Sequence, residues 1–395
     1  QDEATGVSDL SRVPLWMMDR VEIYRGTSPE FASRFGLGGA VFFEPRRARG
    51  TRALGAAEFG SFGSRAFTAA ASVSSKPEDD ASTRAADMRP REAAPSAASS
   101  VSYRYSAAQN DFSFRDDGGT AWDPTDDGTT RRINADFEAH DVWSISRFEV
   151  PTALGVARTD VVLNAWTREQ GVTGLSSIQA QRARSRTLRA LGGAVTRVPC
   201  SAARAENSSD SSCEITWSAR GALQRQTIDD PWGELGIGAS QLASNSERAE
   251  TRASLRSRAI PGVTSGVDLG FETGTLALDE PSLRRTRATE HVLGGTALVA
   301  FHADRLDVLT LVRLSCLDVA GSEAGRASGL GQCFVEGRAG ARYGLTDELE
   351  LRANLLRAVR PPTLGERYGV TAGTRGNSAL EVEQGGAFDL GARYE

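Results

Sequence analysis

The strongest constraint in this chain is a period-two alternation held over runs of roughly ten to fourteen residues. From Trp217 to Gln226, Trp217, Ala219, Gly221 and Leu223 fall on one side of an extended backbone, and Ser218, Arg220, Ala222, Gln224 and Gln226 on the other. The same division sets Val267, Leu269 and Phe271 against Asp268, Gly270 and Glu272. It also sets Val335, Ala339, Ala341, Tyr343 and Leu345 against Glu336, Arg338, Gly340 and Arg342. It is clearest where Leu349, Leu351, Ala353 and Leu355 alternate with Glu348, Glu350, Arg352 and Asn354. Such runs occupy 51–59, 64–74, 101–114, 134–150, 157–168, 186–198, 215–228, 250–259, 265–278, 291–302, 306–318, 333–345, 348–359 and 383–395. Strands of a soluble sandwich average about five or six residues. These runs instead suit tilted strands that cross a bilayer in about nine to eleven residues. No run of eighteen or more apolar residues occurs, so a transmembrane helix is excluded while a membrane β-barrel is not. An open sheet edge cannot sit in lipid, so roughly fourteen strands predict an even-numbered piece of a larger barrel.

The connections alternate in character, short at Thr346-Asp347 and 151–156, longer at 115–132 and 170–184. That is the pattern expected when the two rims face different compartments. Two segments depart from it: 75–100, rich in Ala, Ser, Pro and charge and expected to be a mobile loop, and the stretch between Cys200 and Cys213. The four cysteines fall into two pairs, each placed at the ends of an expected loop, and neither has zinc-knuckle spacing. Loop-closing disulfides Cys200–Cys213 and Cys316–Cys333 in an oxidising compartment fit this spacing, four small buried thiols being the alternative. A net charge of -5 gives no reason to expect nucleic acid as a partner. Positive charge is almost all arginine, Lys76 being the only lysine, which reads as genomic composition.

Ahead of the alternating runs, Asp19 to Arg47 holds a short strand (Val21, Ile23 against Glu22, Tyr24) and a turn at Arg25-Gly26. A helix-length polar stretch follows from Ser28, then Gly36, Gly38 and Gly39, then an apolar strand from Ala40 to Phe43. This predicts a small αβ unit. Asp19 to Gly26 with Gly38 to Phe43 resembles the end of the plug domain of TonB-dependent outer-membrane receptors. Two distant segments also resemble that family: Asn354 to Tyr368, with Arg360, Pro362, Glu366 and Tyr368 at its pattern positions, and Gly376 to Glu383. Thr27, Ser378 and Val382 stand where the family usually has proline, and Phe43-Glu44 replaces its usual exit from the plug. The resemblance implies a mainly β fold: a large antiparallel transmembrane β-barrel of about 22 strands, of which about 14 are present, preceded by the end of an αβ plug. It places the plug at 1–48 and the partial barrel at 49–395, with the chain cut at both ends and no signal peptide at Gln1. It further implies import of a scarce ligand, first a ferric siderophore, then cobalamin or another metal complex. Energy would come from TonB through a box outside this chain, with outer-membrane lipid as the surroundings and no cofactor.

Within that reading Glu22, Arg25, Gly26, Glu350 and Arg352 are the candidates for plug-barrel gating, because polar pairs in a wet lumen can break during transport. Ordinary solvated lumen charges are the competing account. Trp122 and Trp232 are candidate ligand contacts in expected outer loops, although interface belts use tryptophan for the same physical reason. Asp123, Asp126 and Asp127 form a candidate calcium loop that departs from an EF-hand, since Asn134 occupies the place of the bidentate glutamate. His140, His291 and His302 are isolated, and no G-x-S-x-G elbow or phosphate loop occurs, so an enzyme is not expected. A passive porin or adhesive barrel is the alternative function. It has no use for Asp19 to Phe43.

Overall fold

A computed structural model describes residues 13, 15–25, 39–46, 48, 50–75, 95–120, 122–175, 178–200, 212–236, 238–280, 284–323, 326–369 and 376–394. In chain order its strands are β1 (Met18–Arg25), β2 (Gly39–Pro45), β3 (Arg52–Phe59), β4 (Arg65–Ser74), β5 (Ser96–Ala108), β6 (Ser113–Asp116), β7 (Gly128–Arg131), β8 (Phe137–Thr152), β9 (Gly155–Gly171), β10 (Gly174–Leu175) and β11 (Ile178–Gln179). There follow β12 (Arg184–Pro199), β13 (Cys213–Asp230), β14 (Ser240–Ile260), β15 (Val263–Glu280), β16 (Arg284–Ala303), β17 (Leu306–Glu323), β18 (Arg326–Gly344) and β19 (Leu349–Arg360). A short helix α1 (Leu364–Tyr368) and β20 (Glu383–Tyr394) come last. Fourteen strands form one antiparallel sheet, from β3 at one edge to β20 at the other, with wall strands adjacent in the chain also adjacent in the sheet. The hairpins β1-β2, β6-β7 and β10-β11 are separate two-stranded sheets. The helix-length stretch after Ser28 and most of 75–100 lie outside the described residues, so the αβ character of the first unit is represented by its β1-β2 pair.

The wall has its apolar residues on the outside. Val267, Leu269, Phe271, Leu293, Val299, Val312, Leu314 and Leu355 are exposed, while Asp268, Glu272, Glu290, Arg313 and Glu336, on the opposite face of the wall, are buried. No water-soluble sheet gains by this arrangement; a wall with lipid outside and a polar lumen inside does. The strands rise further than the alternation suggested: β14, β16 and β18 begin at Ser240, Arg284 and Arg326, where runs were expected from 250, 291 and 333. Their extensions include stretches with polar residues on both faces, such as Ser244 to Glu247, and such stretches carry no period-two signal.

The same extension corrects the setting of one cysteine pair. Cys316 and Cys333 do not bracket a loop; they are direct cross-strand neighbours within β17 and β18 and are bonded, while Cys200 and Cys213 are bonded at the base of their connection. One rim carries tight turns at 153–154, 261–262 and 304–305. Gly262 there has φ +73°, and a Cβ would strike the carbonyl oxygen of His302. The other rim carries the long connections 109–136, 172–183, 231–239 and 361–382. If Leu269 faces hydrocarbon, Leu269→Arg should cost about 2–4 kcal/mol in urea unfolding of the full-length barrel in lipid vesicles. A loss within about 0.5 kcal/mol, typical of neutral surface changes, would contradict that face assignment.

Candidate functional site

The lumen wall is built on a register. β14 and β15 pair so that Arg248 lies opposite Gly274, Arg252 opposite Gly270 and Arg256 opposite Gly266, with Asp268 and Glu272 between the glycines. Each guanidinium lies across a residue with no side chain. A Cβ on Gly266 would collide with Arg256, and at Gly270 and Gly274 it would stand 3.6 and 3.7 Å from the Nε atoms of Arg252 and Arg248. Lying flat, Arg256 donates to both carboxylate oxygens of Asp268 at 3.1 and 3.2 Å. Arg248 reaches Glu272 at 2.9 Å and Glu290 at 3.0 Å. On β17, Arg313 donates to the Thr296 hydroxyl at 3.0 Å and lies 4.0 Å from Glu336. Buried charges of this kind are costly to form, and removing one partner typically costs about 3–5 kcal/mol. The wall is therefore electrostatically stiff. The alternation pointed to a polar lumen but not to this ladder; the four-residue repeats of arginine at 248, 252 and 256 and of glycine at 266, 270 and 274 were the available signal.

Near its long-loop rim the wall departs from regular pairing. β18 and β19 pair only between Gly337/Arg357 and Gly344/Glu350. Just above, the Glu336 carboxylate accepts the Val359 backbone N–H at 3.2 Å, and the chain turns to place α1 against β15 and β16. Leu364 and Tyr368 are buried there with Leu276, Leu317, Val319 and Phe334. The turn is held by a capping box in which Thr363 Oγ1 accepts the Glu366 N–H and Glu366 accepts the Thr363 N–H. Arg360 donates to both Glu366 oxygens at 3.1 Å and to both Glu383 oxygens at 2.8 Å. The buried Arg367 donates to the Leu380 carbonyl at 2.8 Å, and Asn377 N–H to the Glu366 carbonyl at 2.9 Å. The two downstream segments singled out in the sequence thus lock onto each other.

The β1-β2 hairpin packs on another part of the lumen wall. Met17 and Met18 are buried with Trp143, and Phe43, Ile145 and Val162 pack against them. The Ser102 hydroxyl donates to the Met17 sulfur at 3.0 Å. Glu22 accepts from the Tyr24 hydroxyl at 2.7 Å and pairs with Arg20 at 2.8 Å, and Arg20 also holds Glu44 at 2.7 Å. Glu350 pairs with Arg352 and, at 3.5 Å, with Arg342. The structure therefore brings Glu350 and Arg352 together but sets Glu22 in a separate network, and no ion pair joins the two among the described residues. Arg25 contributes its backbone to β1, opposite Gly39; its side chain and Gly26 lie outside the described residues. Tyr24 comes close enough to Arg338 on β18 to feel its charge, a link that no sequence pattern indicated.

At the long-loop rim three connections are tied together. Asn134, with φ 51°, donates to the carbonyls of Val172 and Ala183 at 3.1 and 2.8 Å. Glu234 accepts the backbone N–H groups of Gln181, Arg182 and Ala183 at 2.9, 2.8 and 3.3 Å. These donors, led by Arg182, hold the Glu234 carboxyl below the usual glutamate range. The fully buried Asp230 caps the N–H groups of Glu234 and Leu235 at 2.9 and 2.8 Å. Trp232 lies under the Arg182 guanidinium, 3.8 Å from carbon to ring centre, so it serves the clasp; Trp122 stands 82% exposed.

The three carboxylates of the candidate calcium loop each have a partner of their own. Asp123 is bound to Thr125, Asp126 to Thr120, and Asp127 to Arg115 at 2.6 Å, and no group of three His, Cys, Asp or Glu able to hold a metal occurs among the described residues. The β6-β7 hairpin and its turn use these carboxylates to cap themselves, which disperses them. The Thr125 bonds also hold the Asp123 carboxyl below its ordinary range.

No family model and no curated protein sequence matches this chain. Solved structures do match its fold. The siderophore receptor PiuA from Acinetobacter baumannii aligns over 96% of this chain and 60% of its own, at 11% identity and a TM-score of 0.63. The copper transporter OprC aligns over 96% and 57%, at 12% identity and 0.64. The FrpB iron transporter from Neisseria meningitidis aligns over 98% and 60%, at 9% identity and 0.67. This chain has the fold of the TonB-dependent outer-membrane receptors. At such identities the likeness speaks for the fold, and the chain spans about three fifths of the receptors it matches.

Two outcomes test the local geometry. Because the Glu234 carboxyl is held below its unfolded value of about 4.3, its contribution is present above that pH and fades as pH falls through the folded value. Protection factors of the Gln181, Arg182 and Ala183 amides in the full-length receptor, taken against the intrinsic exchange rate at each pH, should therefore be high at neutral pH and fall in acid. Glu234→Gln should show the low protection already at neutral pH. Separately, a Cβ at Gly321 would overlap the Tyr368 ring. Gly321→Ala should cost about 1–3 kcal/mol by overpacking, and Tyr368→Ala in the same chain should remove most of that increment.

Proposed function

We propose that this chain is the last part of a plug, residues 1–48, followed by fourteen strands, residues 49–395, of a TonB-dependent outer-membrane receptor that imports a scarce metal chelate. The observation that carries this reading is the β1-β2 hairpin packed inside the lumen, with Met17 and Met18 against Trp143 and Tyr24 near Arg338. A passive porin keeps its lumen open to water and has no role for an occupying hairpin. The apolar outer face supports an outer-membrane setting, and the structural matches, being receptors and transporters, favour transport over chemistry. Receptors and transporters for siderophores, iron and copper among those matches support a metal-linked cargo, with a ferric siderophore first and cobalamin or another complex after it. TonB would act through a segment outside this chain.

The reading rests on energised uptake. In cells expressing the full-length receptor, uptake of radiolabelled iron as a siderophore complex should fall to background when TonB is deleted; uptake that persists would mark a passive pore. Arg25→Ala at equal surface level should lower uptake several-fold while leaving the barrel folded, and unchanged uptake would remove Arg25 from the gate.

A further inference from the structure

β18 pairs with β17 along its whole length, from Arg326 opposite Glu323 to Tyr343 opposite Leu306. Its pairing with β19 begins only at Gly337 opposite Arg357 and runs from there toward the tight-turn rim. The stretch Ala327 to Val335 therefore has a free edge within the wall, distinct from the sheet's outer edges at β3 and β20. Its orientation follows from Cys316 and Cys333, whose Cα atoms stand 4.0 Å apart. Opposed residues that exchange hydrogen bonds stand about 5.5 Å apart, and those whose groups point away from each other about 4.5 Å. Cys333, and with it Ala327, Gly329, Gly331 and Val335, thus turns its N–H and C=O toward the free edge. No backbone group from another described segment reaches them.

β19 cannot extend to cover this edge. Pro361 and Pro362 follow it directly, and proline has no N–H to give a ladder. The chain turns instead into α1, where Tyr368 accepts from the Ser328 hydroxyl at 3.2 Å. Glu336 takes up the departing Val359 amide, but no such substitute stands beside Ala327 to Val335 among the described residues. The edge also rises clear of the hydrocarbon, since the exposed Asp318 lies opposite Gly331, further toward the long-loop rim than Leu314 and the disulfide. Natural sheets blunt such edges with lysine, proline or other charges. Between Ala327 and Val335 there is none of these. A Cβ on Gly331 would meet nothing within 4 Å.

We infer that this edge receives an extended, uncharged segment of a second protein outside the cell, which adds to the wall as a strand above β19. The unmet groups are backbone donors and acceptors at ladder spacing, and another extended backbone satisfies them as a set. They point along the wall, not out from it, so a neighbouring barrel cannot reach them while a single strand laid in line can. Gly329 and Gly331 favour a partner with aromatic or β-branched side chains opposite them, which restore the packing that edge glycines lack. The outside setting rests on the receptor reading; the open edge does not.

The test uses the purified full-length receptor in detergent and, as probe, a short synthetic peptide of alternating threonine and tyrosine with a terminal fluorophore. Without peptide, the amides of Gly329, Gly331 and Cys333 should show low hydrogen-exchange protection factors, and those of Leu330 and Gln332, which face β17, high ones. The peptide should bind, read as fluorescence anisotropy, and raise the first three protection factors about tenfold or more. Gly331→Pro removes an edge donor without touching the β17 ladder and should weaken binding about tenfold or more. If heat-modifiable migration shows that this variant misfolds, Gly331→Lys, whose side chain enters open space, takes its place and should weaken binding as an edge guard. The same peptide with a central proline should not bind. Edge amides already protected without peptide would mean that the receptor's own chain covers them and overturn the inference. So would absence of binding, or equal binding by the variants or by the proline peptide. Siderophore uptake is scored separately: TonB-dependent uptake without peptide binding defeats this edge alone, and peptide binding without uptake defeats the transport reading alone.

Discussion

A sheet that separates lipid from water has no interior, and everything else in this structure depends on that. Each strand must serve two solvents through alternate residues, and its backbone groups must be satisfied within the ladder because the hydrocarbon offers them nothing. The exposed Leu269, Leu293 and Leu355 on one face and the buried Asp268, Glu290 and Glu336 on the other are the direct result. It also explains why a chain of such modest aliphatic content can span a membrane: only one side of each strand needs to be apolar.

The polar side meets a second constraint, since charges facing a narrow lumen lose water on one side and keep a low-dielectric wall on the other. Matching charges across strands answers it, but arginine is long and would project into the lumen. The register of β14 against β15 resolves this by setting Arg248, Arg252 and Arg256 over Gly274, Gly270 and Gly266. Each side chain can then lie along the wall, where Arg256 finds an acid on β15 and Arg248 finds acids on β15 and β16. Glycine weakens a strand by entropy and lost packing, so its use at three such positions is explained by close approach of the guanidinium, and the positions are set by register, not by turns.

Much of this was legible in the sequence, and the limits have physical causes. Period-two alternation located all fourteen wall strands because one face of each is turned to lipid. It lost them toward the long-loop rim, where Ser240 to Ala249 and Arg284 to Glu290 carry polar residues on both faces and little pattern remains. That loss turned the Cys316–Cys333 cross-strand bond into an apparent loop closure. The Glu350-Arg352 pair could be anticipated from spacing within one strand, but Glu234 with 181–183 and Asn134 with Val172 join distant connections, and no local period encodes them. The partners of Asp123, Asp126 and Asp127 were hidden for a related reason: composition counts carboxylates but does not say where they turn, and the short hairpin directs them toward Thr125, Thr120 and Arg115.

The segment from Asn354 to Tyr368 shows how a side-chain network can take over from a backbone ladder. Where β19 stops pairing with β18, the amide of Val359 would be left without a partner, and an unpaired buried amide costs about 1–3 kcal/mol. Glu336 accepts it, and this ties the departing strand to the same carboxylate that faces Arg313. Arg360 then joins Glu366 in the helix cap to Glu383 on β20, so the turn, the helix and the next strand share one guanidinium. Tyr368 can reach the wall only because Gly321 presents no side chain, and its hydroxyl accepts a hydrogen bond from Ser328 at 3.2 Å. The arginine, glutamate and tyrosine of this segment are thus explained by one need: to leave a β-ladder inside a membrane barrel without abandoning a polar group.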